Sequence, residues 1–284
     1  MKDDLSALSA MKYSGRGIII GVTPLDEIFI GYSLTGRSPS SQARRLVLDG
    51  QNQAIFTEPL TDDTTLRGMF KIADDAALAK LKQDISKGSP ALIYYPAIIA
   101  VDDFLVASNG VQTDLFYSAA RKNPKLDSSE VLDNASFPEQ WRYDPQGKRF
   151  INITSYEPDA PNNTARICGC IKNDGSEEAN FLIIRYLNSG EGILERGSAL
   201  NSGEGSLITT YKGGNESPLL PTDGNLLEVK IDSLTAADIA ESIYQSQIGG
   251  SKPGDNFRVA AAVMLRKKEG TLETKIINRA DRGE

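Results

Sequence analysis

Three arginines crowd one loop of this chain, Arg37, Arg44 and Arg45 in GYSLTGRSPSSQARR. Planar guanidinium forks at this spacing suit a phosphate monoester, whose oxygens accept paired hydrogen bonds. A second polar group lies in VASNGVQTD, where Asn109-Gly110 favours a tight turn. There Thr113 can cap the next helix, leaving free N–H groups open to an anion. A third segment, EPDAPNNTARI, begins at Glu157 and leads Arg166 into a strand, and a fourth, SGEGSLITTY, sets Glu204 between two glycines. What these residues cannot do is set by the count of histidines, which is zero. Ser-His-Asp and Cys-His catalysis are excluded with it, as are the histidine-rich sites of most zinc and iron enzymes, so no metal and no cofactor is expected.

Two other features offer chemistry. Gly31 to Ser38 looks like a phosphate-binding P-loop, with Asp102 at the end of IIAVDD as its acid. That reading is rejected, because Arg37 replaces the lysine that must reach the phosphates, and Pro39 and two serines follow where a helix N-terminus is required. The two cysteines, Cys168 and Cys170 in RICGCI, are expected to face opposite ways on a strand, ill-placed for a disulfide or a shared metal, and to remain buried thiols of a reducing compartment.

The elements that must position these residues are mostly strands. Short β-branched or aromatic runs separated by turn residues predict strands at Arg16 to Val22, Glu27 to Leu34, Arg45 to Asp49, Ala91 to Tyr95, Ala97 to Val101 and Phe104 to Ala107. The pattern resumes at Ala165 to Ile171, Phe181 to Tyr186, Ser206 to Tyr211, Leu226 to Ile231, Arg258 to Leu265 and Thr271 to Ile277. Helices are predicted over Asp74 to Lys87 and Thr235 to Gln247, each with an apolar stripe and a capping residue, and over Thr113 to Arg121 and Ser128 to Asn134. Asn188 to Gly205 and Gly213 to Asn225 read as loops. Strands and helices come in clusters, so the class is α+β, two packed sheets flanked by helices, in one domain spanning residues 1–284.

With 38 acidic against 31 basic residues and 40% hydrophobic content, the chain is expected to be globular, with no nucleic acid and no membrane as partner. The acidic start MKDDLSALSAMKYSGRG lacks a secretory apolar core, and the longest apolar run, Ala91 to Val101, falls short of the ~20 residues of a membrane span. A cytoplasmic location is expected.

Taken in order, YSGRGIIIG (Tyr13 to Gly21), YSLTGRSPSSQARR (Tyr32 to Arg45), SNGVQTD (Ser108 to Asp114), EPDAPNNTARICG (Glu157 to Gly169) and GEGSLITTY (Gly203 to Tyr211) resemble the archaeal-type IMP cyclohydrolase family over nearly the whole chain. The resemblance implies a four-layer αββα sandwich similar to the Ntn hydrolases. It implies ring closure of 5-formamidoimidazole-4-carboxamide ribonucleotide to IMP, the last step of purine synthesis. Self-processing is not expected, since Met1-Lys2 offers no nucleophile. On this reading the catalytic group is Asn109, Asp114, Glu204 and Tyr32, with Asn109, the Gly110 backbone and a tyrosine hydroxyl as oxyanion donors and Asp114 or Glu204 as proton shuttles. Arg16, Arg37, Ser38, Arg44, Gly110, Arg166 and Tyr211 would bind a purine ribonucleotide, and a homo-oligomer is left open. Gln42, Ala43, Ala165, Ser206 and Thr209 depart from the family pattern, and a paralogue that binds the nucleotide without turning it over is the alternative.

Overall fold

Residues 3–51, 53–88, 93–136, 139–144, 148–187, 190–247 and 256–283 are described by a computed structural model. The fold is α+β, dominated by two antiparallel sheets. The first has six strands in the order β13-β12-β1-β2-β14-β15, formed by Leu227–Lys230, Glu204–Thr209, Arg16–Val22, Ile28–Thr35, Arg258–Arg266 and Leu272–Asn278. The second has seven, β11-β10-β9-β6-β5-β4-β3, formed by Gly190–Ala199, Glu178–Leu187, Arg166–Lys172, Phe104–Ser108, Tyr95–Val101, Ala54–Pro59 and Arg44–Asp49. A separate ribbon pairs β7 (Trp141–Asp144) with β8 (Arg149–Asn152). Helices are α1 (Ser6–Ser9), α2 (Pro39–Gln42), α3 (Asp63–Phe70), α4 (Asp75–Ser86), α5 (Thr113–Lys122), α6 (Ser128–Ser136), α7 (Ala236–Ser246) and α8 (Arg279–Arg282).

Alternation along β1 shows how the layers are built. Ile18, Ile20 and Val22 join Ile98, Leu105, Ile167 and Phe181 of the other sheet in one apolar cluster, so the sheets are packed face to face. Ile19, one residue out of phase, packs instead with Ile239, Ile243 and Tyr244 of α7. On the second sheet Phe104, Val106 and Leu182 pack under Phe116 of α5 and Val131 and Leu132 of α6. Strands covered on both faces read as unbroken apolar runs, which is why β1, β2 and β14 are buried at every position. The covering helix α7 is started by Thr235, whose hydroxyl accepts from the Asp238 N–H, and α4 by Asp74, which accepts from that of Ala77.

Several expectations are corrected. Cys168 and Cys170 are both buried and belong to the same cluster beneath α5 and α6, because residues two apart on a strand share a face. They are free thiols, and burial pushes the Cys168 thiol up to about 12. The expected loop at 188–205 is largely β11, paired with β10 from Leu187↔Gly190 to Glu178↔Ala199. Its glycines and serine suggested turns, but cross-strand pairing decided the conformation. Strand β5 runs through Pro96 at a register shift, where a missing N–H is tolerated, rather than breaking there. Residues 91 and 92 of the run expected before it lie outside the described residues. Strand β4, the ribbon and α3 had no counterpart among the predicted elements.

Candidate functional site

Charges are buried at one end of the stacked sheets. Arg16, the first residue of β1, is 8% exposed, Glu157 3% and Arg166, the first of β9, 0%. Gly15 precedes Arg16 at φ +73°, and a Cβ there would run into Thr210 and Tyr211, so only glycine lets β1 start this close to its neighbour. The Arg16 Nη2 donates to Glu157 Oε1, while Arg166 Nη1 lies 4.0 Å from the same oxygen. Arg166 is held from both sides, donating through Nε to the Ser155 carbonyl at 2.6 Å and through Nη1 to Gln112 Oε1 at 2.9 Å.

Asn109 ties the group together. Its Nδ2 donates to Glu157 Oε1 at 3.3 Å and to the Ala165 carbonyl at 2.8 Å. Its Oδ1 accepts from the Ile167 N–H at 2.9 Å and from Gln112 Nε2 at 3.3 Å. Those four bonds exhaust a carboxamide's capacity. Both donors of the Asn109 amide are therefore engaged within the protein. Gly110 has a steric reason, since a Cβ would overlap Arg166 Nη1 and Gln112 Oε1.

Tyrosines line the same region. Tyr32 of β2 and Tyr95 of β5, one from each sheet, bring their hydroxyls to 3.0 Å. Tyr211 OH lies 2.5 Å from Thr164 Oγ1, which donates in turn to Asp159 at 2.5 Å. Tyr13 stacks on Tyr211 at 5.6 Å, and Arg37 covers Tyr13 at 5.3 Å from the ring centre. Arg37 lies at the rim, with Nη1 donating to the Glu216 carbonyl at 3.0 Å. Arg44 is 8% exposed with its Nε on the Ser41 carbonyl at 3.0 Å, and Ser38 is exposed and caps the single turn of α2.

Electrostatics follow from this crowding. Burial opposes the Arg16 charge, but Glu157 and the surrounding tyrosines outweigh it and hold its pKa well above the ordinary value. Burial lowers that of Arg166, with Glu157 opposing. Tyr32 is raised well above the usual range by burial and then by Tyr95, and Tyr211 is raised by burial, so both are phenols at neutral pH. Two guanidinium groups face one carboxylate, and Arg16 Nε and Arg166 Nη2 are buried without a hydrogen-bond partner among the described residues. Arg185 Nε and the Nε and Nη2 of Arg266 are likewise buried without a partner among the described residues. The hydrogen bonds and ion pairs of Glu157 among the described residues fall on Oε1.

Other expected site residues lie apart. Asp114 sits in the first turn of α5, facing outward, 3.5 Å from Arg142. Glu204 is at the far end of β12, exposed and bonded to Asn201, roughly 17 Å from Thr209 at ~3.4 Å per residue. Ser206 donates to Ser198, Thr209 to the Tyr211 carbonyl, and Gln42 Nε2 to the Gly36 carbonyl. In the P-loop lookalike, Gly31 through Thr35 form strand, and Asp102 pairs with Arg121 at 2.8 Å. Among the described residues, no three Cys, Asp or Glu side chains gather to hold a metal ion. No helix among them is long and apolar enough to cross a membrane.

Tyr95 and the carboxylate of Glu157 were not assigned roles from sequence. Glu157 was visible only as the start of a polar loop, and nothing local distinguishes Tyr95, whose partner is 63 positions away. No protein-family model and no curated protein matches the chain.

Proposed function

We propose that this protein is a cytoplasmic IMP cyclohydrolase that closes the ring of 5-formamidoimidazole-4-carboxamide ribonucleotide. The observation that carries the reading is the buried Arg16–Glu157–Arg166 group with unpartnered guanidinium nitrogens, beside a pair of neutral tyrosine hydroxyls. A four-layer αββα arrangement similar to the Ntn hydrolases is supported by the separate apolar clusters between the sheets, under α7, and under α5 and α6.

The base of the nucleotide lies at the buried end and its 5'-phosphate at the rim, against Arg37, Ser38 and Arg44. Arg166 Nη2 and Arg16 Nε hold the carboxamide and formyl oxygens and set the two groups face to face. Orientation of this kind can contribute roughly 7 kcal/mol to an intramolecular step. The carboxamide nitrogen attacks the formyl carbon, forming the C–N bond while the carbonyl electron pair moves to oxygen. Glu157 Oε2 accepts a proton from that nitrogen, and Arg16 stabilises the oxyanion. The Tyr32–Tyr95 pair passes two protons to that oxygen, which leaves as water as the formamido nitrogen gives up its proton and the C=N bond forms; that proton and the one Glu157 took replace the two the tyrosines gave. Gly110 and Asn109 position these groups, and Tyr211 packs against Tyr13 below Arg37.

The test is to mix purified protein with the formylated ribonucleotide, follow the ultraviolet change of ring closure and identify IMP by chromatography. Turnover in the wild type, lost in Glu157→Gln with IMP binding retained, is the expected result. A thermal shift with IMP and no turnover would favour a binding paralogue, and neither effect would end the reading.

A further inference from the structure

The β7–β8 ribbon displays Trp141, Tyr143 and Phe150 at 59%, 51% and 66% exposure. Register explains why they share a face, since Tyr143 stands opposite Phe150 and Trp141 is two residues from Tyr143. The Tyr143 and Phe150 rings meet edge to face at 5.4 Å, which holds the display in one arrangement. The other face is committed to the body of the protein. Ile151 is buried in the core between the sheets, and Arg142 reaches Asp114 on α5.

We propose that this aromatic face is where the chain pairs with a second copy of itself about a two-fold axis. At these exposures the three rings offer roughly 350–400 Å² per chain, and a self-complementary contact doubles that to roughly 700–800 Å². This is most of the ~1,000 Å² that a specific interface needs, and exposed Arg149 on the same ribbon adds to it. Composition points the same way, because interface cores are rich in Trp, Tyr, Phe and Arg and poor in carboxylates. Within the two strands the only carboxyl group is Asp144, 4% exposed. In a chain of net charge -7, the two strands set no exposed carboxylate of their own against a second copy, Glu139 just before Trp141 being the nearest in sequence. A two-stranded ribbon is marginal alone in water, so covering its free face stabilises it. Aromatic side chains beside arginines also suit single-stranded nucleic acid, but Arg142 is engaged by Asp114 and Arg149 by the Pro158 carbonyl.

Trp141 is the only tryptophan, so the interface carries its own reporter. Sedimentation velocity should show a dimer that dissociates on dilution, with Trp141 emission moving to the red as it does so. Phe150→Asp and Tyr143→Asp should keep the wild-type circular dichroism, weaken dimerisation at least about thirtyfold and leave Trp141 in water at all concentrations. A wild-type protein that stays monomeric to about 100 μM, or a dimer unaffected by both variants, would overturn the proposal. So would quenching of Trp141 in the monomer by a thymidine oligonucleotide, which would assign the face to nucleic acid. Should both variants misfold, iodide quenching of the wild type decides: protection of Trp141 at high protein concentration supports the dimer, and free access refutes it.

Discussion

Strands β1 and β12 run side by side between two ends of the molecule, and the charges that gather at those ends differ in how many of them water reaches. Where β1 starts, Arg16, Glu157 and Arg166 are buried and share bonds with Asn109 and Gln112. Past its other end, Lys268 meets Asp26 at 3.0 Å and Glu204 accepts from Asn201, with Lys268 and Asp26 largely in water, while Glu27 and Arg266 are buried there and Lys267 lies between Glu27 at 3.5 Å and Glu273 at 3.1 Å. Exposed pairs contribute little, since water solvates each charge nearly as well as its partner does. Buried charges are different, because each is costly unless the whole set is present. The Arg16–Glu157–Arg166 set is distinguished by two guanidinium groups and Asn109 gathered on one carboxylate oxygen.

The most severe way to break the comparison is to remove one charge at each end. Glu157→Ala leaves two guanidinium groups buried with no counter-charge and should lower stability by about 3–5 kcal/mol in denaturant unfolding. Glu204→Ala should leave the unfolding midpoint close to that of the wild type. Equal effects would show that the two ends do not differ in kind.

A pair of glycines sharpens the point without altering charge. Gly110→Ala forces Arg166 and Gln112 apart and should cost about 1–3 kcal/mol together with catalytic activity. Gly68 in α3 has nothing within 4 Å of its missing Cβ, and Gly68→Ala should stabilise by about 0.5–1 kcal/mol. Thermal melts of the two variants should therefore move in opposite directions.

The same contrast explains what could be read from sequence. Strand β1 was legible to the residue, because both faces are buried and the run RGIIIGV has no polar gap. Strand β11 was not, because Gly190, Gly192 and Gly197 look like turns until β10 lies beside them. In the site, Asn109 is legible as half of an Asn-Gly turn and Arg166 as the residue that a polar loop leads into a strand, while Arg16 enters through the resemblance of YSGRGIIIG. Tyr95 is not legible, since a tyrosine inside a strand looks the same whether its hydroxyl meets water or Tyr32. Asp114 and Glu204 are suggested only by their neighbours in sequence. That proximity does not set direction: one is on the solvated first turn of a helix, the other at the far end of a strand.

Arg37 tests the rim between these regimes. It is accessible and held by the Glu216 carbonyl, so Arg37→Ala should leave folding intact while weakening IMP binding by about 2 kcal/mol, roughly thirtyfold by titration calorimetry. Unchanged affinity would move the phosphate away from this loop.

The smallest effects should appear in how stability varies with pH, where buried phenols and thiols act on one flank and exposed carboxylates on the other. Tyr13, Tyr32 and Tyr211 are raised by burial, and Cys168 is pushed up to about 12. A raised folded value means that the unfolded chain releases its protons first, so this stability is complete below the ordinary thiol and phenol ranges and is lost as pH climbs from ~9. At the exposed end, bonds from Ser202 and then Lys268 lower Asp26, and bonds from Asn201 lower Glu204. A lowered carboxylate contributes above its unfolded value, and the contribution disappears as pH falls below ~4. Urea unfolding across pH should thus show a steep alkaline flank and a shallow acid one. Tyr32→Phe should flatten only the alkaline side and Asp26→Asn only the acid side. If Asp26→Asn changed the alkaline flank, or Tyr32→Phe the acid one, the two ends would be coupled and the division between buried and solvated charge would fail.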